Sequence, residues 1–404
     1  MNTILAHSFL PMESTPTISF EDTAVAFAHM SDAELKKANF IFSIVNHPSI
    51  SSMAIALVKT GMSIRLPIEG LIRKTVFDHF CAGISIDDAE QSVKALDRFH
   101  VRAILDYSVE GEISEDGFEE TTRETLRTIE KAKVSTNLPF CVFKPTGLGS
   151  AELLEKIQSK QELSQGERAA YERIKSRFDR ICAKGHEYNI PILVDAEDSW
   201  YQQTIDRMVV DLMIKYNREK AIVFNTYQLY RTEGLGNLNS HFHEAVMNNV
   251  FFGAKLVRGA YMEKERERAE KFGYPSPIHP NKETTDDAFN KALTFCINNN
   301  QRISVMCGSH NEHSNYYLTI LMEKHNIRKD DNRVWFAQLY GMSDNISFNL
   351  AKAGYNVVKY LPYGPIRSVM PYLFRRAEEN TSVAGQSSRE LTLIQKELKR
   401  RGKS

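Results

Sequence analysis

Net charge is the first thing this chain lacks. Its 51 Lys and Arg balance 51 Asp and Glu over 404 residues. No overall field draws it to nucleic acid or to acidic partners, and no nucleic-acid partner is expected. Cysteine is scarce: five, at 81, 141, 182, 296 and 307, with no CxxC pair and no Cys/His cluster at zinc-finger spacing. Reduced thiols in a cytosol-like compartment follow. No apolar run reaches the ~18 residues that a membrane-spanning helix needs. Residues 1–13 lack a basic region and a long apolar one, and the first arginine is Arg65. That argues against an Arg-rich transit peptide and for a cytoplasmic location. No GxSxG occurs, and no cysteine sits in a recognisable catalytic setting, so the usual nucleophilic hydrolases are not indicated.

What is present is an ordinary globular balance, 42% hydrophobic and 25% charged. Residues 1–100 read as a helical arm, with apolar residues at three- and four-residue spacings over 32–45 and 85–99. From 101 the texture changes. Short β-branched and apolar runs appear at 101–107, 140–144, 192–195, 221–224, 254–257, 303–306, 334–337 and 357–360. Helical patterns fill the gaps. Ile205, Met208, Val209, Leu212, Met213 and Tyr216 make one stripe. Tyr171, Ile174, Phe178, Ile181 and Cys182 make another, with Gly185 as its expected stop. Buried strands alternating with helices predict a parallel α/β fold, and eight such strands close a (βα)₈ TIM-like barrel. An open doubly wound sheet is the competitor, weakened because no GxGxxG follows the first strand. Residues 101–385 are the expected barrel. Residues 386–404 form a basic amphipathic tail, which would dock as a last helix or touch an anionic membrane surface.

Barrel active sites lie at the C-terminal strand ends. Strand two delivers Lys144 there, strand three Asp195 to Asp198, and strand four Asn225 to Gln228. Strand five delivers Arg258 to Tyr261, strand six Gly308 to Asn311, strand seven Gln338, and strand eight Tyr360 with Pro362 and Gly364 beyond it. Polar groups at nearly every end, interspersed with glycine, suit a large planar cofactor with a phosphate tail. A metal site is not indicated. His310 and His313 can share a helical face, but no further ligand follows at a recognised spacing. Lys144 alone would permit Schiff-base chemistry, as in barrel aldolases. Arg375, Arg376 and Glu379 lie within one helical turn. Two guanidinium groups suit a carboxylate, and a neighbouring carboxylate suits an amine, so an amino or imino acid is the expected ligand.

Taken in order, VDAED at 194–198, NTYQLY at 225–230, KLVRGAY at 255–261, GSHN at 308–311, FAQLYGMSD at 336–344, YLPYGP and YLFRRAEEN at 372–380 resemble the blocks of proline dehydrogenase. The resemblance covers about residues 101–385. ILDYSVEG at 104–111 is similar to the monofunctional branch. Bifunctional bacterial members append an aldehyde dehydrogenase domain, for which this stretch has no room, so a separate pyrroline-5-carboxylate dehydrogenase is the expected partner.

The resemblance implies FAD bound across the strand ends by Ala196, Gln228, Val257, Arg258, Gly259, Ala260, Ser309, His310 and Gln338. It implies L-proline held by Lys144, Asp195, Tyr261, Tyr360, Arg375, Arg376 and Glu379. Many bacterial members carry Arg then Lys in the strand-five block, whereas here the order is Lys255 then Arg258, and which of the two faces the flavin is open. The implied catalytic set is Lys144, Asp195, Lys255 and Arg258. The implied reaction is hydride removal from the ring CH₂ beside nitrogen, giving pyrroline-5-carboxylate. Electrons would leave to a membrane quinone, so peripheral attachment is expected. Hydroxyproline is the nearest alternative substrate, disfavoured because Tyr360 would crowd a 4-hydroxyl.

Overall fold

Each of the eight apolar runs becomes one strand of a single parallel sheet in the computed structural model, which describes residues 18–63, 69–108, 113–382 and 386–403. The strands are β1 Arg102–Tyr107, β2 Cys141–Phe143, β3 Ile192–Val194, β4 Val223–Gln228, β5 Phe252–Val257, β6 Ile303–Gly308, β7 Val334–Leu339 and β8 Val357–Tyr363. β1 pairs with β8 in parallel, Arg102 opposite Val358 and Tyr107 opposite Tyr363. Among the described strands the ladder runs on through β7 to β2, open only between β2 and β1. A helix follows every strand, so the sheet curls into a (βα)₈, TIM-like barrel.

Strand alternation sorts the side chains into two apolar bodies. Ile104, Val142, Leu193, Phe224, Met306, Trp335, Val358 and Tyr360 fill the lumen. Their neighbours Leu105, Cys141, Val194, Val223, Cys307, Phe336 and Leu361 pack outward against the helices. A third cluster joins the arm to the chain's end. Phe27, Leu35, Ile41 and Phe42 meet Val369, Tyr372 and Leu373 of the Ile366–Ser382 helix, and Leu393, Ile394 and Leu398 of the Gln386–Arg400 helix. Several basic residues at the chain's end form ion pairs: Arg389 with Glu312 and Glu21, Lys396 with Glu21, Arg400 with Glu397, and Arg401, just past the helix, with Asp32. Among the described residues no single helix is long and apolar enough to cross a membrane. Residues 1–13 lie outside the described residues.

Three expectations need correction. The Gln165–Tyr188 helix runs straight through Gly185 and ends at Asn189, in the left-handed conformation at φ 59°. Gly185 serves packing instead: a Cβ there would meet Ile192 Cγ1 at 2.4 Å. Asn225 to Gln228, read as the residues after strand four, belong to β4, and Pro362, read as beyond strand eight, belongs to β8. Polar residues and a proline hid these extensions. The ladder continues regardless, with Gln228 opposite Val257 and Pro362 opposite Asp106. Finally, His310 and His313 do not share a helical face. His310 precedes the Glu312–Lys324 helix and bonds Ser343, whereas His313 stacks on Tyr317.

Candidate active site at the strand ends

Inward-facing positions near the C-terminal ends of β1, β5 and β8 carry Asp106, Lys255 and Tyr360, while Lys144 and Asp195 follow directly on β2 and β3. These five meet in one network of hydrogen bonds and ion pairs. Lys144 Nζ reaches both Asp106 oxygens at 2.8 Å and lies 3.7 Å from Asp195 Oδ2. Lys255 Nζ donates to Asp195 Oδ1 at 2.5 Å and to the Tyr360 hydroxyl at 2.9 Å. Ser108 donates to Asp106 at 2.6 Å. Burial pushes the Asp106 carboxyl up, but Lys144, Ser108 and Lys255 outweigh it and leave it below the usual carboxylate range. Burial, with Asp195 and Asp106 nearby, lifts the Tyr360 phenol well above its ordinary value. Among the described residues of this network two carboxylates and two ammonium groups cancel, so a further cation beside them adds net positive charge.

The Ile366–Ser382 helix supplies two such cations. Arg375 lies over the Tyr261 ring at 5.8 Å, and Arg376, buried, over Tyr372 at 5.3 Å. Tyr261 stands just beyond β5, so Arg375 is carried over that strand end. Arg376 comes close enough to His310 to depress its pKa. The Glu379 side chain lies outside the described residues.

The strand-five cations divide. Lys255 faces the lumen. Arg258 turns toward the neighbouring helices, bonding Asp286 and Ser309 at 2.7 Å each and Ser314 at 3.0 Å, with Phe289 beneath it at 4.5 Å. Gly259 and Ala260 are exposed beside it, and Val257 is half-buried. Gly259 has φ 140°, and a Cβ there would meet the Tyr230 ring at 2.3 Å, so only glycine fits.

Two of the expected cofactor residues, Ala196 and Gln228, lie at the strand ends. Ala196 is half-buried at the β3 end. Gln228 donates to Glu197 O at 3.0 Å, while its buried Oε1 has no hydrogen-bond partner among the described residues. That vacant acceptor suits an imide N–H such as a flavin carries, and a Lys or Arg beside the imide carbonyls would complement the charge of a reduced flavin ring. The donor set therefore fits the group. Gln338 is different. It faces outward on β7, and its amide is spent on Ser309 O, Asn315 and Ser347 at 3.0, 3.3 and 2.8 Å, which buttresses the β6 end from behind.

Two residues, Asp106 and Lys359, escaped the sequence reading, and a third, Glu197, was read at the strand-three end without a role. Asp106 closes the lumen network from β1. Glu197 accepts from the Thr146 N–H and hydroxyl at 3.1 and 2.9 Å, and burial raises it to about 7. Lys359, outward on β8 and wholly buried, pairs with Asp344 at 2.6 Å. Asp106 had a readable signal, an acid near the end of ILDY, because a charge in so apolar a strand needs a partner.

Comparison with known proteins shows the family and the fold. A family model described as proline dehydrogenase matches residues 89–389. Proline dehydrogenase 1, mitochondrial, of Dictyostelium discoideum is 32% identical over 94% of this chain and 74% of its own length. The carbapenem antibiotics biosynthesis protein CarD of Pectobacterium carotovorum is 34% identical over 82% of this chain and 86% of its own. Among solved structures, proline utilization A from Bdellovibrio bacteriovorus, inactivated by N-propargylglycine, superposes with TM-score 0.69 at 20% identity over 90% of this chain. The chain spans 37% of that longer protein, and the likeness is one of fold.

Proposed function

Because the chain belongs to the proline dehydrogenase family, we propose that it oxidises L-proline to pyrroline-5-carboxylate with FAD as cofactor and a membrane quinone as final acceptor. The observation that carries the reading is the Asp106–Lys144–Asp195–Lys255–Tyr360 network, with Arg375 over Tyr261 beyond β5 and Arg376 near His310 beyond β6. An amino acid with one carboxylate and a secondary amine matches that layout. The guanidinium groups take the carboxylate in fork geometry. Asp195 orients the amine, with Lys144 and Lys255 fixing its two oxygens. Tyr360, pinned by Lys255, and Tyr261, beneath Arg375, wall the ring. Glu379 would close the site from the same helix.

FAD, when bound, supplies the hydride acceptor. Ala196, Gln228, Val257, Gly259, Ala260, Ser309 and His310 would hold it, with Gln338 supporting Ser309 from behind. Lys255 is the better placed of the two strand-five cations to meet both flavin and substrate, and Arg258 would serve the cofactor's outer part. Most of the acceleration would come from positioning and charge placement rather than covalent catalysis. With a quinone as acceptor, the protein would work from the cytoplasm against a membrane surface. A separate pyrroline-5-carboxylate dehydrogenase would consume the product.

A visible spectrum tests the reading. The purified protein should show flavin absorbance that bleaches when proline is added without an electron acceptor. Arg375→Ala and Arg376→Ala should each raise the proline KM about 10- to 100-fold, as expected when a charge-assisted hydrogen bond is lost, while flavin stays bound. A colourless protein that does not take up FAD would refute the proposal.

A further inference from the structure

The turn after β7 is gripped from three sides. Lys359 of β8 donates to Met342 O at 2.5 Å and to Leu339 O at 3.3 Å. His79, from the N-terminal arm, bonds Gly341 O at 3.1 Å. Glu390, from the Gln386–Arg400 helix, accepts the Ser343 N–H at 3.0 Å. Ser343 itself sits in the left-handed region at φ 53°. A non-glycine residue persists there only where its surroundings over-determine it, and such residues cluster at functional sites.

Ser343 Oγ lies 2.9 Å from His310 Nδ1. Ser343 is only 4% exposed, and among the described residues His310 is the one partner its hydroxyl has. A buried hydroxyl hydrogen needs an acceptor, so Ser343 donates and Nδ1 accepts. His310 is held neutral: burial and the positive charges of Lys359, Arg376 and Arg258 push its pKa down to about 3. A neutral imidazole carries one N–H, and here that N–H falls on Nε2.

We propose that Ser343 is a positioning residue: its hydroxyl fixes His310 as the Nε2–H tautomer, so that the β6 end presents a donor to the strand-end site, and Glu390 and Lys359 hold the turn that makes this possible. The chain's arm and last helix thereby act on the site through a backbone turn. The acceptor that meets Nε2–H, an oxygen of FAD, rests on the function proposed above; the tautomer does not.

The test uses the full chain labelled with ¹⁵N-histidine, as purified and again after flavin removal. His310→Gln identifies the His310 signals in long-range ¹H–¹⁵N spectra. Wild type should show an unprotonated, hydrogen-bonded Nδ1 and a protonated Nε2. Ser343→Gly is the decisive variant, because glycine accepts the left-handed backbone without strain while the hydroxyl is lost with its CH₂. It should fold at least as stably as wild type, yet show mixed tautomers and bind FAD about 3- to 10-fold more weakly by fluorescence quenching, as for loss of one oriented hydrogen bond. Glu390→Gln, which keeps an acceptor for the Ser343 N–H, should retain the wild-type spectrum. Glu390→Ala should not. A protonated Nδ1 in wild type, or a Ser343→Gly spectrum unchanged from it, overturns the proposal. The expected tautomers in a protein that binds no FAD would uphold it and sink the flavin reading instead.

Discussion

Replacing Asp106 with asparagine puts the lumen network to its hardest test. Asp106 is 5% exposed and takes the Lys144 ammonium on both oxygens at 2.8 Å. The amide keeps the shape and one acceptor but loses the charge. Among the described residues Lys144, with a side chain only 13% exposed, then keeps the Asp195 carboxylate at 3.7 Å. Removing one member of a buried pair costs ~3–5 kcal/mol. Asp195 and the residual exposure offset part of this, so about 2–3 kcal/mol remains. In a chain of this size ~2 °C accompanies each kcal/mol, and the apparent Tm should fall by roughly 4–6 °C. Lys144→Met should cost a similar amount, because it strips the buried Asp106 carboxylate of its ammonium partner and leaves it the Ser108 hydroxyl. The double variant should cost less than the sum of the two, with a coupling of about 2 kcal/mol. Thermal and urea unfolding of all four proteins, at equal flavin saturation, measures the cycle. Additivity within about 0.5 kcal/mol would show that the pair is not a pair, and the neutral lumen would lose its footing.

Two further outcomes follow from single groups. Gly259→Ala forces a Cβ to 2.3 Å from the Tyr230 ring at φ 140°, where strain alone costs ~1–3 kcal/mol; unfolding midpoint and flavin content should both drop, and a wild-type-like variant would refute the close approach. Glu390 is raised from 4.5 to about 7 by burial, with Asp344 and Glu312 adding to the rise and the Ser343 N–H and Lys359 opposing it. An acid raised in the folded state favours folding below its unfolded pKa, and that contribution is lost as pH climbs through the folded one. Glu390→Gln, neutral throughout, should therefore gain stability relative to wild type as pH goes from 4.5 to 7, by up to about 3 kcal/mol; a difference independent of pH would contradict it.

How much of this was legible in the amino-acid order depends on the range of each interaction. Hydrophobic periodicity is local, and all eight strands and the Ser199–Tyr216 helix stripe could be read from it. Strand ends were harder. NTYQ reads as a loop because it is polar, yet in β4 its inward Gln228 faces the site and its outward Tyr227 bonds His241 at 3.1 Å. Polarity at a strand end marks chemistry as readily as it marks a loop. Gly185 misled for the converse reason. Glycine stops helices, but it also lets a helix touch a strand, and only the partner strand, here β3, tells the two apart.

The site shows the same division more sharply. Lys144, Asp195, Lys255 and Tyr360 were visible one by one as polar residues in or just after apolar runs. Their mutual arrangement was not, because each lies on or directly after a different strand and the contacts span 51 to 105 residues of sequence. Charge balance then supplies what spacing cannot. A lumen that buries two ammonium groups must bury two carboxylates, or leave an uncompensated charge in an apolar barrel. Of those carboxylates only Asp195 stands in a polar cluster. Asp106 stands in ILDY, where the apolar flanks hide it. The same reasoning reaches outside the lumen. Lys359, buried on the outer face of β8, requires Asp344, and Asp344 starts the helix behind the turn that carries Ser343. A buried lysine in VVKY thus foretells an acid in GMSD. Pairing buried charges of opposite sign across strands would have recovered both networks from sequence, where periodicity alone found neither.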